Sequence, residues 1–191
     1  IASIFASRVP LKSGGHIVIS PTEALVSIDV NSGKSTREGS MEKTAFSTNM
    51  EAAPEIARQL RLRDLGGLIV IDFIDMTDYE HRQQVLQALE KALSNDYAKT
   101  YVSTVSQIGL VEMTRKRTRE SLQHVLCEDC EHCDGRGFNM TAETVCFEIF
   151  REIIRQHRQF QFDEVLVLAH EDVIELLLDE EADGLAETGE Q

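Results

Sequence analysis

The chain has 191 residues, 42% of them hydrophobic and 27% charged, with a formal net charge of −14. That length supports one good core with a small appendage, and that composition excludes a disordered polymer. The charge is lopsided: residues 163–191 carry 11 acidic residues and no Lys or Arg, whereas residues 1–162 carry 22 acidic and 19 basic ones. The body is therefore close to neutral, so the acidic total does not exclude a nucleic-acid partner, and the tail reads as a solvated end.

The sequence starts at Ile1 without a Met, directly in a strand-like pattern (Ile1 to Phe5), and is read as a segment of a longer protein. No apolar stretch approaches the length of a membrane-spanning helix, and no signal peptide is visible. Residues 1–31 alternate short strands with turn signals at Ser13-Gly14-Gly15 and Ser20-Pro21-Thr22. Residues 42–64 predict an amphipathic helix with Ala45, Phe46, Ile56, Ala57 and Leu60 on one face, ended by Gly66-Gly67. A buried strand is expected over 68–72, and the helical period returns over 78–94 through Val85, Leu86, Leu89 and Leu93. Strands follow near 99–105 and 108–113, then a basic helix over 114–122 and a cysteine cluster over 127–137. A helix over 141–157, a strand at Val165–Leu168 and a short helix from Asp172 to Leu178 complete the pattern. Strands alternating with helices indicate an α/β layer architecture.

Two apolar runs end in aspartate: Ala24 to Asn31 contains Asp29, and Gly66 to Asp75 contains Asp72. An ionised carboxylate on a buried strand costs several kcal/mol unless it is paired or metal-bound. Asp29 and Asn31 are two apart on a strand, so they share a face. With Asp72 on a neighbouring strand, two carboxylates and an amide converge where α/β sheets bind ligands. Such a set suits Mg2+, which is commonly held by one or two carboxylates plus substrate phosphates, and points to a metal-dependent phosphodiester hydrolase. Asn31 is placed to donate to the phosphate. Asp75 is a further candidate, three residues on. From spacing alone, helix capping and turn formation explain the aspartates as well.

The runs Glu23 to Gly33, Thr48 to Ala52, Ile56 to Met76 and Gly109 to Arg117 resemble the ribonuclease E/G family of bacterial endoribonucleases. Thr118 to Ser121 and the three-cysteine linker are nearer to the ribonuclease G branch. The resemblance covers about residues 8–160. It implies a deoxyribonuclease-I-like layered catalytic subdomain over 1–122, a zinc-binding linker over 123–138 and an incomplete small α/β dimerisation unit over 139–178. An acidic tail, 179–191, follows. It implies that Asp29 and Asp72 hold Mg2+ and that Asn31 is catalytic. The implied reaction is cleavage of single-stranded, often A/U-rich RNA, leaving 5′-phosphate ends, in ribosomal RNA processing and messenger RNA decay. The family's N-terminal RNA-binding domain and 5′-end pocket are not in this stretch, so the segment alone is expected to bind metal and cleave RNA poorly.

Three of the four cysteines, Cys127, Cys130 and Cys133, lie within seven residues, in a chain that otherwise reads as intracellular and cytoplasmic. This favours a metal site over disulfides. The segment contains C-x-x-C-x-G-x-G, a spacing at which two thiolates grip one Zn2+. Either Cys127, Cys130 and Cys133 join His124 or His132 in one chain, or two cysteines from each of two chains share the ion. The resemblance favours the second, with Cys130 and Cys133 as ligands in a homodimer, although Glu131 replaces the family's usual proline. Cys146 is expected in the core. Arg115, Lys116, Arg117 and Arg119 form one basic patch, and Arg58, Arg61 and Arg63 another; each is read either as a phosphate contact or as a solvated face paired with acids. The rival to an Mg2+-dependent endoribonuclease is a non-catalytic zinc-linked assembly module.

Overall fold

In a computed structural model, residues 4–33, 41–106, 109–160, 162 and 164–179 are described. The expected acidic tail falls almost wholly outside them. The chain divides into two compact units, residues 1–128 and 129–191.

The first unit is a mixed six-stranded sheet with helices on one face. Its elements are β1 (Arg8–Pro10), β2 (His16–Pro21), β3 (Leu25–Asn31), α1 (Met41–Arg63), β4 (Gly67–Asp72), α2 (Tyr79–Leu93), β5 (Thr100–Val105), β6 (Leu110–Arg115) and α3 (Leu122–Leu126). The strand order is β1-β2-β3-β4-β6-β5. Only β3 and β4 run parallel, joined through the α1 crossover; all other neighbours are antiparallel. Alternation along the strands explains the one-sided burial. Ile17, Ile19, Val26, Ile28, Val30, Ile69, Ile71, Val111 and Met113 face inward. Against them pack Ala52, Ala53, Ile56, Ala57 and Leu60 of α1, and Val85, Leu86, Leu89 and Leu93 of α2. The alanines let α1 lie close to the sheet, and each buried Ile or Leu contributes about 1.5–3 kcal/mol.

The opposite face of the sheet is lined by exposed side chains, Ser27 and Asp29 on β3, Leu68 and Asp72 on β4, and Glu112 and Thr114 on β6. This corrects the expectation of a fully buried strand at 68–72: β4 buries Ile69 and Ile71 and presents Leu68 and Asp72 outward.

Several other expectations are also corrected. Ile4 and Phe5 lie outside any strand. Gly66-Gly67 does not end α1. Asp64 does, in the left-handed region at φ 52, with the Leu65 N–H donating to Leu60 O at 3.0 Å. That bond closes the helix as a Schellman turn. No helix spans 114–122, because Thr114 and Arg115 continue the β6 ladder opposite Leu68 and Gly67. Helix α3 starts only after Ser121, whose hydroxyl accepts from His124 N.

The second unit holds α4 (Ala142–Phe160) and α5 (Glu171–Asp179). They meet at buried Cys146, whose thiol lies 3.6 Å from Val173 O, in keeping with the core position expected for it. Val165–Leu168 is not a strand; Leu166 and Leu168 are 85% and 87% exposed. A strand needs a paired neighbour for its backbone groups, and no strand is present in this unit among the described residues.

Candidate active site

Parallel pairing of β3 with β4 sets Ile28 opposite Ile71 and Asp29 opposite Asp72. Both isoleucines turn into the core and both aspartates onto the open face, at the carboxyl ends of the two central strands. Neighbouring strands lie about 4.8 Å apart, so the carboxylates are held side by side by the main-chain ladder. Both are exposed, so their presence there needs no explanation from burial. The Asp72 carboxyl is nevertheless lifted above its ordinary range, by desolvation and by the negative charges of Asp29 and Asp75. Asn31, the last residue of β3, donates from Nδ2 to Asp29 Oδ2 at 2.7 Å. One amide hydrogen is thereby used to orient Asp29, and the second remains to donate elsewhere.

The segment after Asp72 is tied down from α1. Fully buried Asn49 donates from Nδ2 to Ile74 O at 2.8 Å and accepts from Ile74 N at 3.0 Å. At the start of α1, Glu42 accepts from Thr77 N and Thr77 Oγ1, both at 2.9 Å, and lies 2.7 Å from His81 Nδ1. His81 stacks on Phe46 with ring centroids 4.2 Å apart. The His81 hydrogen bond, followed by that from Thr77 N, holds the Glu42 carboxyl down at about 2. Asp75 therefore sits in a segment fixed on both sides. Neither Asn49 nor Glu42 was legible as a site neighbour, because each reaches a segment far along the chain.

Of the two basic patches, three arginines are committed within the fold, and Arg58 forms a surface pair. Arg115 is buried, with Nε 2.8 Å from Asp96 Oδ2 and Nη1 3.0 Å from Asp64 Oδ1, and it cannot reach a phosphate. Arg63 is buried and donates to Gln59 Oε1 and Ala6 O. Arg61 donates to Ala92 O, and Arg58 pairs with Glu55. Lys116, Arg117 and Arg119 stay exposed, with Arg117 Nε 3.2 Å from Gly66 O.

In the second unit, Cys130 is exposed and Cys133 buried, four residues before Gly137. Backbone N–H groups of His132 and Cys133 point at the Cys130 sulfur and lower its thiol pKa, helped by the Cys133 thiol. Gly137 N donates to the Cys133 sulfur at 3.3 Å. Main-chain N–H groups directed at both sulfurs suit thiolates, which is the form that binds Zn2+. Among the described residues, no three His, Cys, Asp or Glu side chains converge on one point.

The fold is that of a mixed α/β protein with two carboxylates paired on its open face, and comparison with known proteins gives its family. Residues 1–118 match the Ribonuclease E/G family, and the chain belongs to it. It is 54% identical over 180 residues to Ribonuclease G of Escherichia coli (strain K12), covering 94% of this chain and 37% of that protein. Ribonuclease G of Haemophilus influenzae is 53% identical over 185 residues, 97% of this chain and 38% of that protein. Ribonuclease E of Escherichia coli (strain K12) is 46% identical over 180 residues, 94% of this chain and 17% of that protein. The chain thus spans well under half the length of these relatives. Among the described residues, no helix is long and apolar enough to cross a membrane.

Proposed function

We propose that this chain is the catalytic portion of a cytoplasmic endoribonuclease that hydrolyses single-stranded RNA with Mg2+ and leaves 5′-phosphate ends. Its roles are ribosomal RNA processing and messenger RNA decay. The observation that carries the reading is the pairing of Asp29 with Asp72 on adjacent strands, in a chain similar to proteins named Ribonuclease G and Ribonuclease E. The donor set fits a hard divalent cation: two carboxylates side by side, with Asp75 adding to the negative field that raises Asp72. Asp29 and Asp72 would hold the Mg2+, which when bound supplies Lewis-acid polarisation of a phosphate oxygen and a more acidic water. Asn31 fixes the rotamer of Asp29 through one amide hydrogen and offers the other to a phosphate oxygen. Asn49 and Glu42 hold the segment after Asp72, so the carboxylates are presented without rearrangement. The sheet with one helix-covered face is the layered, deoxyribonuclease-I-like subdomain of this reading. Cys130 and Cys133 form half of a four-thiolate zinc site that a second copy of the chain completes.

Replacing Asp72 by Asn in the full-length protein is expected to abolish Mg2+-dependent cleavage while leaving the circular dichroism spectrum unchanged. Asp29→Asn should behave alike. Cleavage retained by either variant would overturn the assignment and favour the non-catalytic, zinc-linked assembly module.

A further inference from the structure

On the open face of the sheet, the carboxylate pair has a cationic neighbour that the proposed mechanism does not use. Strand pairing sets Arg8 opposite Val18, Val18 opposite Asp29 and Asp29 opposite Asp72. Two residues along β2, His16 is the direct partner of Asn31. Cross-strand partners share a face, so Arg8, His16, Asn31, Asp29 and Asp72 lie on one face across four strands, in two adjacent rows: Arg8, Val18, Asp29 and Asp72 in one, Pro10, His16 and Asn31 in the other. The burial pattern agrees: Val9, Ile17 and Val30, which alternate with these residues, are all in the core.

Arg8 is exposed, and its Nη2 lies 3.1 Å from His16 Nδ1. A guanidinium only donates, so His16 accepts at Nδ1 and carries its proton on Nε2. The imidazole thus presents a second donor beside Asn31, steadied by the arginine. Among the described residues, Arg8 makes no ion pair with a carboxylate, unlike Arg115, which is buried and paired within the fold. With strands about 4.8 Å apart and a rise of about 3.3 Å per residue, His16, two strands across and two residues along, stands roughly 12 Å from Asp72, and Arg8 roughly 14 Å. That is too far to touch the reacting phosphate and suitable for the backbone beyond it.

We propose that Arg8 and His16 bind the phosphate backbone of single-stranded RNA next to the scissile bond, and so set the direction in which the strand crosses the sheet over β3, β2 and β1. The inference rests on the nuclease reading of Asp29 and Asp72. It assigns Arg8 as a phosphate contact and His16 as the residue that orients it and adds a hydrogen bond. Such contacts position the strand and carry no sequence information.

The test uses the full-length protein carrying Asp72→Asn, so that binding is read without cleavage. A short single-stranded A/U-rich oligoribonucleotide with a 5′-monophosphate serves as the probe. Arg8→Gln is expected to raise Kd roughly tenfold at moderate salt and to flatten the plot of log Kd against log salt by about 0.7, the share of one phosphate contact on a single strand. Arg8→Lys should recover most of the affinity, and His16→Ala should give a smaller loss. In the otherwise wild-type protein, Arg8→Gln should raise KM and leave kcat unchanged. Lys12→Gln, on the neighbouring β1–β2 turn, is the control for general charge. An unchanged Kd and salt slope in Arg8→Gln would overturn the proposal, and so would an equal loss in Lys12→Gln. Activity retained by Asp72→Asn would instead overturn the nuclease reading, so the two failures are distinguishable.

Discussion

Arg115 is the residue whose sequence context misleads most. It stands first in a run of basic residues, yet its side chain is fully buried and hydrogen-bonded to Asp96, Asp64 and Leu65 O. The reason is tertiary: β6 extends to Arg115, so alternation after Val111 and Met113 carries it to the core face. A carboxylate with no exposed surface, Asp96, waits there. Removing one partner of a buried pair leaves the other charge uncompensated, which is far worse than losing a surface ion pair. Arg115→Met is therefore expected to destabilise the protein by about 3–5 kcal/mol, measured by urea denaturation. A loss of about 1 kcal/mol or less would mean that the pair contributes as an exposed one does.

At the scale of elements, α1 both packs on the sheet and braces the segment that follows Asp72. The brace has a pH signature. The folded-state pKa of Glu42 is depressed from an ordinary 4.5 to about 2, chiefly by the hydrogen bond to His81. A depressed carboxylate contributes stability that is present above 4.5 and is lost as pH falls toward 2. Wild-type protein should thus exceed Glu42→Gln in urea midpoint at neutral pH, and the gap should close across that window. A gap that stays constant with pH would show that the carboxylate charge is not what holds Thr77. The helices and most strands were legible because apolar residues recur at 3.6 or 2 positions along them. The strand expected at Val165–Leu168 failed because an apolar run becomes a strand only beside a partner. Asp29 and Asp72 were legible as strand-end carboxylates expected to converge. The register that sets one directly opposite the other was not, because register between distant strands is fixed by core packing. Arg8 and His16 were missed for the same reason, since only pairing brings β1 and β2 beside the carboxylates.

At the scale of the molecule, this chain corresponds to 37–38% of the length of the ribonuclease G relatives, with Asp29 and Asp72 in one compact unit and Cys130 and Cys133 in the other. The thiol unit exposes Phe147, Ile154 and Phe160 along α4. Metal analysis of the purified full-length protein is expected to find one zinc per two chains, and Cys130→Ser with Cys133→Ser should release both the metal and the dimer. One zinc per chain would mean a site completed within a single copy. The parallel junction between β3 and β4 has a kinetic consequence as well. Asp29 and Asp72 become neighbours only when the whole stretch from β3 through α1 to β4 has closed on itself. Closing that loop spends chain entropy before the strand contacts repay it. A nascent or partly unfolded chain, in which β3 and β4 are not yet paired, therefore lacks the side-by-side carboxylates.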